Sequence, residues 1–384
     1  KKRSLFIDGI YFLTSALTLV FISQTYRIIL KDSDFLMLLR FTEDYLLLGA
    51  LFFILIIKGR LKLYNLKSFL LLFVYLCISY LFVISDFDLI RRFTIIMLWY
   101  TIAINVVIYI KPKHFFYIIA FMGIFSAGTM LMNIEQTISD YVIQQNRLHA
   151  EGEGMDMNIN NISLILVSLT AIASVIYKNI SEIKFGKILM FALYLSVLGI
   201  ILIGSTRSAL IFYVLIAIYF FHNLPTRYII IPLLLFLIFI STLIIFSDEL
   251  VIISRFVQYD YATSGRSLAL LDSLTNFSNN PFFGIGEIKQ ENMQLQQIGD
   301  PDHNFFTRLL GSNGIIGFAF IVNFLIGLII PEYKNKHING LFLLQLFFVY
   351  SLIFSPGGPG IIIIASSIFY ISQFKNFDMN LKHS

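Results

Sequence analysis

Residues 302–330 read DHNFFTRLLGSNGIIGFAFIVNFLIGLII, and from Leu309 to Ile330 no side chain in the stretch is charged. A helix needs about 20 mainly apolar residues to cross a bilayer, so this run is long enough to span one. Its polar and ionisable residues crowd the start, which places the boundary between water and hydrocarbon close to Arg308.

The whole chain repeats that contrast. Of its 384 residues 58% are apolar and 13% charged, against roughly 45–50% and about 25% in soluble globular proteins. So much apolar surface exceeds what a water-soluble core of this size can hide. Composition therefore excludes secreted disulfide scaffolds, nucleic-acid-binding modules and soluble dehydrogenases. Cys77, the lone cysteine, forms no intrachain disulfide and anchors no metal cluster.

Moving the same window along the chain predicts spans over 5–25, 36–57, 68–85, 93–110, 115–133, 162–177, 188–204, 208–221, 228–246, 305–330, 340–354 and 359–374. The expected fold is an all-α polytopic membrane protein of about 12 transmembrane helices, forming a single integral membrane domain over 1–384. Lys1-Lys2-Arg3 precedes an apolar stretch without a small-residue cleavage pattern, so the first span reads as an anchor rather than a signal peptide.

Lys and Arg in short loops mark the cytoplasmic side. With both termini cytoplasmic, the inner segments hold 17 of the 28 cations and 4 of the 23 acids, giving +13 inside and −8 outside, which restores the net +5. The two cations also separate. Inside lie 14 Lys and 3 Arg, outside 2 Lys and 9 Arg. Lysine is a hydrated orientation signal, whereas arginine is a planar fork suited to phosphate and carboxylate. An acidic outer face that keeps nine Arg points to individual anion-binding roles, with Arg91 and Arg92 paired instead to Asp86 and Asp88.

Two outer segments exceed ordinary loop length: 134–161, which contains Arg147, and a large extracytoplasmic loop over 247–304. In the larger one, LVIISRFVQYDY and SLALLDSLTNF read as short amphipathic helices and NNPFFGIGEI as a turn, the whole expected to fold down on the membrane surface.

The strongest local chemistry lies where that loop meets the 305–330 span. Asn304 is a candidate N-cap, and the helix start beside it offers free N–H groups and a positive dipole end to an anion. Arg308 follows four residues later on the same face. Gly314 and Gly317 leave a smooth patch where a helix or a lipid chain can approach. A second signal is Gly204-Ser205-Thr206-Arg207-Ser208, a polar break between apolar runs, where an Arg beside hydrocarbon is costly and therefore functional. A third is YDYATSGRSL, with Arg266 in a small-residue turn and Arg255 upstream. Glu151, Glu153 and Asp156 read as a solvated acidic loop rather than a cation site, and no zinc-type cluster or G-x-S-x-G is present. Gly284-Ile285-Gly286 lacks the preceding strand that a nucleotide loop requires.

On these residues the sequence resembles the O-antigen ligase/polymerase family of bacterial membrane glycosyltransferases. His303-Asn304, then nine intervening residues, then Gly314-Ile315-Ile316-Gly317, is similar to that family's His-Asn…Gly-x-x-Gly signature. Thr-Arg-Ser at Arg207, Ser-Gly-Arg at 264–266 and Asn-Pro-Phe-Phe-Gly-Ile-Gly at 280–286 accompany it. The resemblance implies a GT-C-like architecture in the bacterial cytoplasmic membrane. It also implies an active site on the periplasmic or extracytoplasmic side, no cofactor and no metal. The partners it implies are an undecaprenyl-pyrophosphate-linked oligosaccharide donor and acceptor and a chain-length regulator protein. Carried onto this chain, His303, Arg266 and Arg207 become the catalytic residues of an inverting transfer; Arg255, Arg308, Asn304 and Arg147 become substrate-binding, and Gly314 and Gly317 the structural motif.

Three activities fit to different degrees. A Wzy-type polymerase would move the growing glycan onto the next lipid-linked repeat unit, and the abundance of Phe, Ile, Tyr and Asn, common in surface-polysaccharide loci, favours it. A ligase would move the glycan to lipid A core. A transporter or flippase of lipid-linked oligosaccharides would need ionisable residues along a central path and related halves, whereas the polar residues here crowd the outer end.

Overall fold

A computed structural model of the chain describes residues 63–82, 87–107, 110, 112–132, 149–150, 157–180, 183–203, 207–221, 266–297, 304–330, 340–354 and 360–372. Over these residues it is almost entirely helical. The helices are α1 (Leu66–Phe82), α2 (Phe87–Val107), α3 (Pro112–Met132), α4 (Ile159–Asn179), α5 (Gly186–Ile203), α6 (Arg207–Phe221), α7 (Arg266–Asn279), α8 (Glu287–Gln297), α9 (Phe305–Ile329), α10 (Leu341–Phe354) and α11 (Gly360–Ser372). The expected spans at 5–25, 36–57 and 228–246 lie outside the described residues, as does the helix expected over 250–261. The other nine spans each fall on a helix. By length and composition α9 is, among the described residues, the one helix able to cross a membrane as it stands; α1, α4, α5, α6 and α10 are shorter and apolar.

One departure from all-α interrupts the smaller outer segment. His149–Ala150 (β1) pairs antiparallel with Met157–Asn158 (β2), His149 opposite Asn158 and Ala150 opposite Met157, just before α4 begins. The helix α8, which begins within the NNPFFGIGEI stretch read as a turn, was not expected. Its sequence, EIKQENMQLQQ, carries no apolar stripe wide enough to announce a helix.

The described elements group into two compact units. The first holds α3 to α6 with the strand pair. Its core is apolar, with Phe116, Ile119, Val167, Ile172, Leu193 and Ile216 fully buried. The hydroxyls of Ser168, Thr170 and Ser174 there donate to the carbonyls of Leu164, Leu166 and Thr170 one turn back, at 2.6, 2.9 and 2.7 Å. Tyr194 Oη lies 2.9 Å from Ser174 Oγ and donates to Ile216 O at 3.1 Å, while Tyr213 Oη donates to Tyr194 O at 2.8 Å. Backbone groups without water must be paired within the segment, and straight helices achieve that.

The second unit is built around α9, with α1, α2, α7, α8, α10 and α11. Phe324 of α9 is fully buried and meets the Phe93 ring edge-on at 6.0 Å. Tyr75 stacks on Phe320 at 5.4 Å. Four side chains among the described residues donate to α9 carbonyls from outside the helix: Asn65 to Phe324, Gln345 to Ile329, Tyr75 to Asn313 and Tyr100 to Leu328, at 3.1, 2.9, 3.1 and 3.2 Å. The last two come from buried tyrosines whose hydroxyls would otherwise be stranded.

Candidate functional site

The outer end of α9 starts as its sequence predicts. Asn304, with φ −80° and ψ 110°, accepts the Phe306 N–H on its side-chain oxygen at 3.0 Å. Thr307 Oγ1 donates back to Asn304 O at 3.2 Å. The first turn carries no acidic residue, so the dipole end beside the neighbouring His303 keeps its positive character. His303 itself lies outside the described residues, as do Arg255 and Arg147.

Ten residues further on, α9 breaks. Gly314 has φ 61° and ψ −171°, a region that essentially only glycine enters. In an unbroken helix Ile315 N–H would bond to Gly311 O, and Ile316 N–H to Ser312 O. Here the segment after α7 takes both pairs apart and satisfies each group itself. Ile285 and Gly286 N–H donate to Gly311 O and Ser312 O at 3.1 and 2.9 Å; Ile315 and Ile316 N–H donate to Pro281 O and Phe282 O at 2.8 and 3.2 Å. Two helical bonds are exchanged for four tertiary ones, so no backbone group is orphaned.

The exchange requires backbone to touch backbone. A Cβ on Gly314 would stand 2.4 Å from the carbonyl of Phe282, and one on Gly284 (φ 70°) would stand 2.3 Å from that of Ser312. The patch at Gly314 and Gly317 is therefore occupied from within the protein, and at Gly317 the close approach is made by a helix, α1. Loop backbone fills it at Gly314, and the Tyr75 hydroxyl, 2.3 Å from a Cβ at position 317, fills it at Gly317. The Gly284-Ile285-Gly286 run likewise has its explanation in close approach to α9.

Above the break, α7 and α8 form a platform with a polar interior. Ser273 is fully buried and its hydroxyl accepts from Gln290 Nε2 and Gln294 Nε2 at 2.7 and 3.0 Å. Gln294 Nε2 also reaches Asp272 Oδ2, at 3.1 Å, and Ala269 O, at 3.0 Å; Asn276 Nδ2 donates to the same carboxylate oxygen at 3.1 Å. Arg308 ties the platform to α9, its Nη2 donating to Glu287 Oε1 at 2.8 Å and to Glu291 Oε2 at 2.7 Å. With two carboxylates already on it, this guanidinium brings no surplus positive charge to an anion. Sequence reasoning missed Glu287 and Glu291; their i, i+4 spacing, matched by Gln290 and Gln294, was the available signal.

Two arginines stand at helix starts. Arg266 is the first residue of α7 rather than a residue of the preceding turn, and Arg207 is the first residue of α6, in the other unit. Both helices open Arg-Ser and neither has an acidic residue in its first turn. Asn304, Arg308, Gly314, Gly317, the 280–286 segment and the start of α7 all belong to one unit. Among the described residues no cluster of His, Cys, Asp and Glu could hold a metal.

Residues 190–322 match the family model described as O-Antigen ligase. The matched stretch contains Arg207, Arg255, Arg266, His303, Asn304, Arg308, Gly314 and Gly317, and leaves out Arg147. No curated protein matches the chain.

Proposed function

We propose, from the membership of the O-antigen ligase/polymerase family that the match over residues 190–322 supports, that this protein transfers a glycan from a polyprenyl-pyrophosphate carrier at the extracytoplasmic face of the bacterial cytoplasmic membrane. A glycan-transfer role in envelope polysaccharide biogenesis is what the family implies. One observation carries the finer reading. The 280–286 segment closes on α9 through four backbone hydrogen bonds, two to Ile315 and Ile316 within the Gly-x-x-Gly motif and two to Gly311 and Ser312 just before it. Motifs that serve one site are expected to meet in this way.

In the proposed step, His303 accepts the proton of the attacking sugar hydroxyl. The new C–O bond forms at the anomeric carbon while the bond to pyrophosphate breaks on the opposite face, so the configuration inverts. The electron pair departs with the lipid pyrophosphate, whose charge Arg266 receives. Such base assistance is worth about 10²- to 10⁴-fold. Arg308 is reassigned from substrate binding to holding α8 on α9. The twelve-span topology with both termini cytoplasmic is part of the same proposal.

The match to a family described as O-antigen ligase favours the ligase reading, with lipid A core as acceptor, over the polymerase that the composition suggested. The polymerase remains the second reading, on the Phe- and Tyr-rich composition, 40 and 20 residues respectively. Purified protein supplied with lipid-pyrophosphate-linked glycan, with and without lipid A core, separates the two. Glycosylated lipid A core identifies a ligase, and elongated lipid-linked glycan without any core acceptor identifies a polymerase. His303→Ala and Arg266→Ala should each abolish the product while the protein still elutes as a folded species; full activity in both would remove them from the site.

A further inference from the structure

The platform of α7 and the 281–286 segment is built inside out for a part exposed to water. On α7 the buried positions are small or polar, Ala269, Ser273 and Asn276, whereas Leu268, Leu271 and Leu274 are 57, 58 and 38% exposed. Phe282 and Phe283 of the next segment are 64 and 45% exposed. In water this arrangement would hide hydrogen-bonding groups and display leucine and phenylalanine, against the ordinary direction of transfer free energy.

Depth along α9 resolves the inversion. Contacts descend in order: Arg308 at the polar boundary meets Glu287 and Glu291, Gly311 and Ser312 meet Ile285 and Gly286, and Ile315 and Ile316 meet Pro281 and Phe282. The last pair lies beyond the start of the uncharged stretch at Leu309 by six or seven residues, about 9–10 Å at 1.5 Å per residue. An interfacial helix buries its apolar face about 5–10 Å below the headgroups. Irregular backbone at that depth is tolerated only when its polar groups are satisfied by protein, and the four bonds to α9 supply that. Beside the inserted segment, Ile315 of α9 is itself 44% exposed, so the apolar surface runs on from loop to span.

We infer that the 281–286 segment and the leucine face of α7 are a wedge seated among the acyl chains of the outer leaflet. The loop is thus sunk into the membrane rather than laid on its surface. α8, with Lys289 and Asn292 exposed, stays at the headgroups and water. The inference rests on α9 spanning the bilayer and requires no particular acceptor or donor sugar.

Depth-dependent fluorescence quenching tests it on the full-length protein in liposomes, with Cys77→Ser as background and an environment-sensitive dye on Leu271→Cys, Phe282→Cys, Phe283→Cys or Lys289→Cys. Nitroxide placed on the acyl chains should remove most of the signal from positions 271, 282 and 283 and little from 289, while aqueous iodide should do the reverse. Iodide quenching at 271 and 282 equal to that at 289 would overturn the inference. So would protection from both quenchers, which would mean that a second copy or another protein covers the face. Three separate positions keep the test valid if one variant misfolds. Glycan transfer is not part of the readout, so failure of the transferase reading would leave this result unaffected.

Discussion

The two units of the molecule solve the same problem differently. In the unit of α3 to α6, hydroxyls inside the apolar core bond to carbonyls one turn back, and each helix remains whole. In the unit of α9, the helix is opened at Gly314 and its broken bonds are completed by a segment that belongs to a loop. The first arrangement is local and survives small changes in packing. The second exists only when two distant segments are in register, and it stands where the proposed chemistry is.

That difference is tested most severely at the break. Gly314→Val adds a side chain at a φ that only glycine adopts readily and drives it into the Phe282 carbonyl. The expected cost is about 3 kcal/mol or more, read as a large fall in the thermal midpoint of the detergent-solubilised protein together with loss of glycan transfer. An unchanged midpoint would mean that the segment is not locked to α9.

A smaller effect is expected at the tie above the break. Arg308 and Glu287 are each about one-fifth exposed and Glu291 twice that. The pair is thus worth more than a surface ion pair and less than a buried one, about 1–2 kcal/mol. Arg308→Ala should lower stability by that amount and weaken transfer. Combining it with Glu287→Gln and Glu291→Gln should restore most of both, because the uncompensated carboxylates disappear. If the triple variant regains stability and stays inactive, Arg308 contacts substrate after all.

The smallest effect belongs to the other unit. Ser168→Ala removes a hydroxyl whose partner, Leu164 O, is one turn back in its own helix. A loss of about 0.6 kcal/mol or less is expected, with unchanged glycan transfer. An effect as large as that at Gly314 would erase the distinction between the units.

Much of the helical framework was legible because membrane helices announce themselves one at a time. The expected 305–330, 188–204 and 340–354 became Phe305–Ile329, Gly186–Ile203 and Leu341–Phe354. Asn304 was legible as a cap for the same local reason. The role of Arg308 was not, because its partners sit on a helix whose EIKQENMQLQQ pattern has no apolar face to read. Nor was the purpose of the glycines at 284 and 314, since neither sequence contains the other's backbone.

The sequence alone determined most of the helical framework and the stretch that matches the family model. Each of these follows from apolar run length, charge placement and residue spacing within a continuous stretch, where every helix satisfies its own backbone. Tertiary structure alone decided that α9 opens at Gly314 and that the 281–286 segment completes it. Those outcomes are hydrogen bonds between backbone groups roughly thirty residues apart. Backbone groups are alike at every position and leave no periodic trace in a sequence.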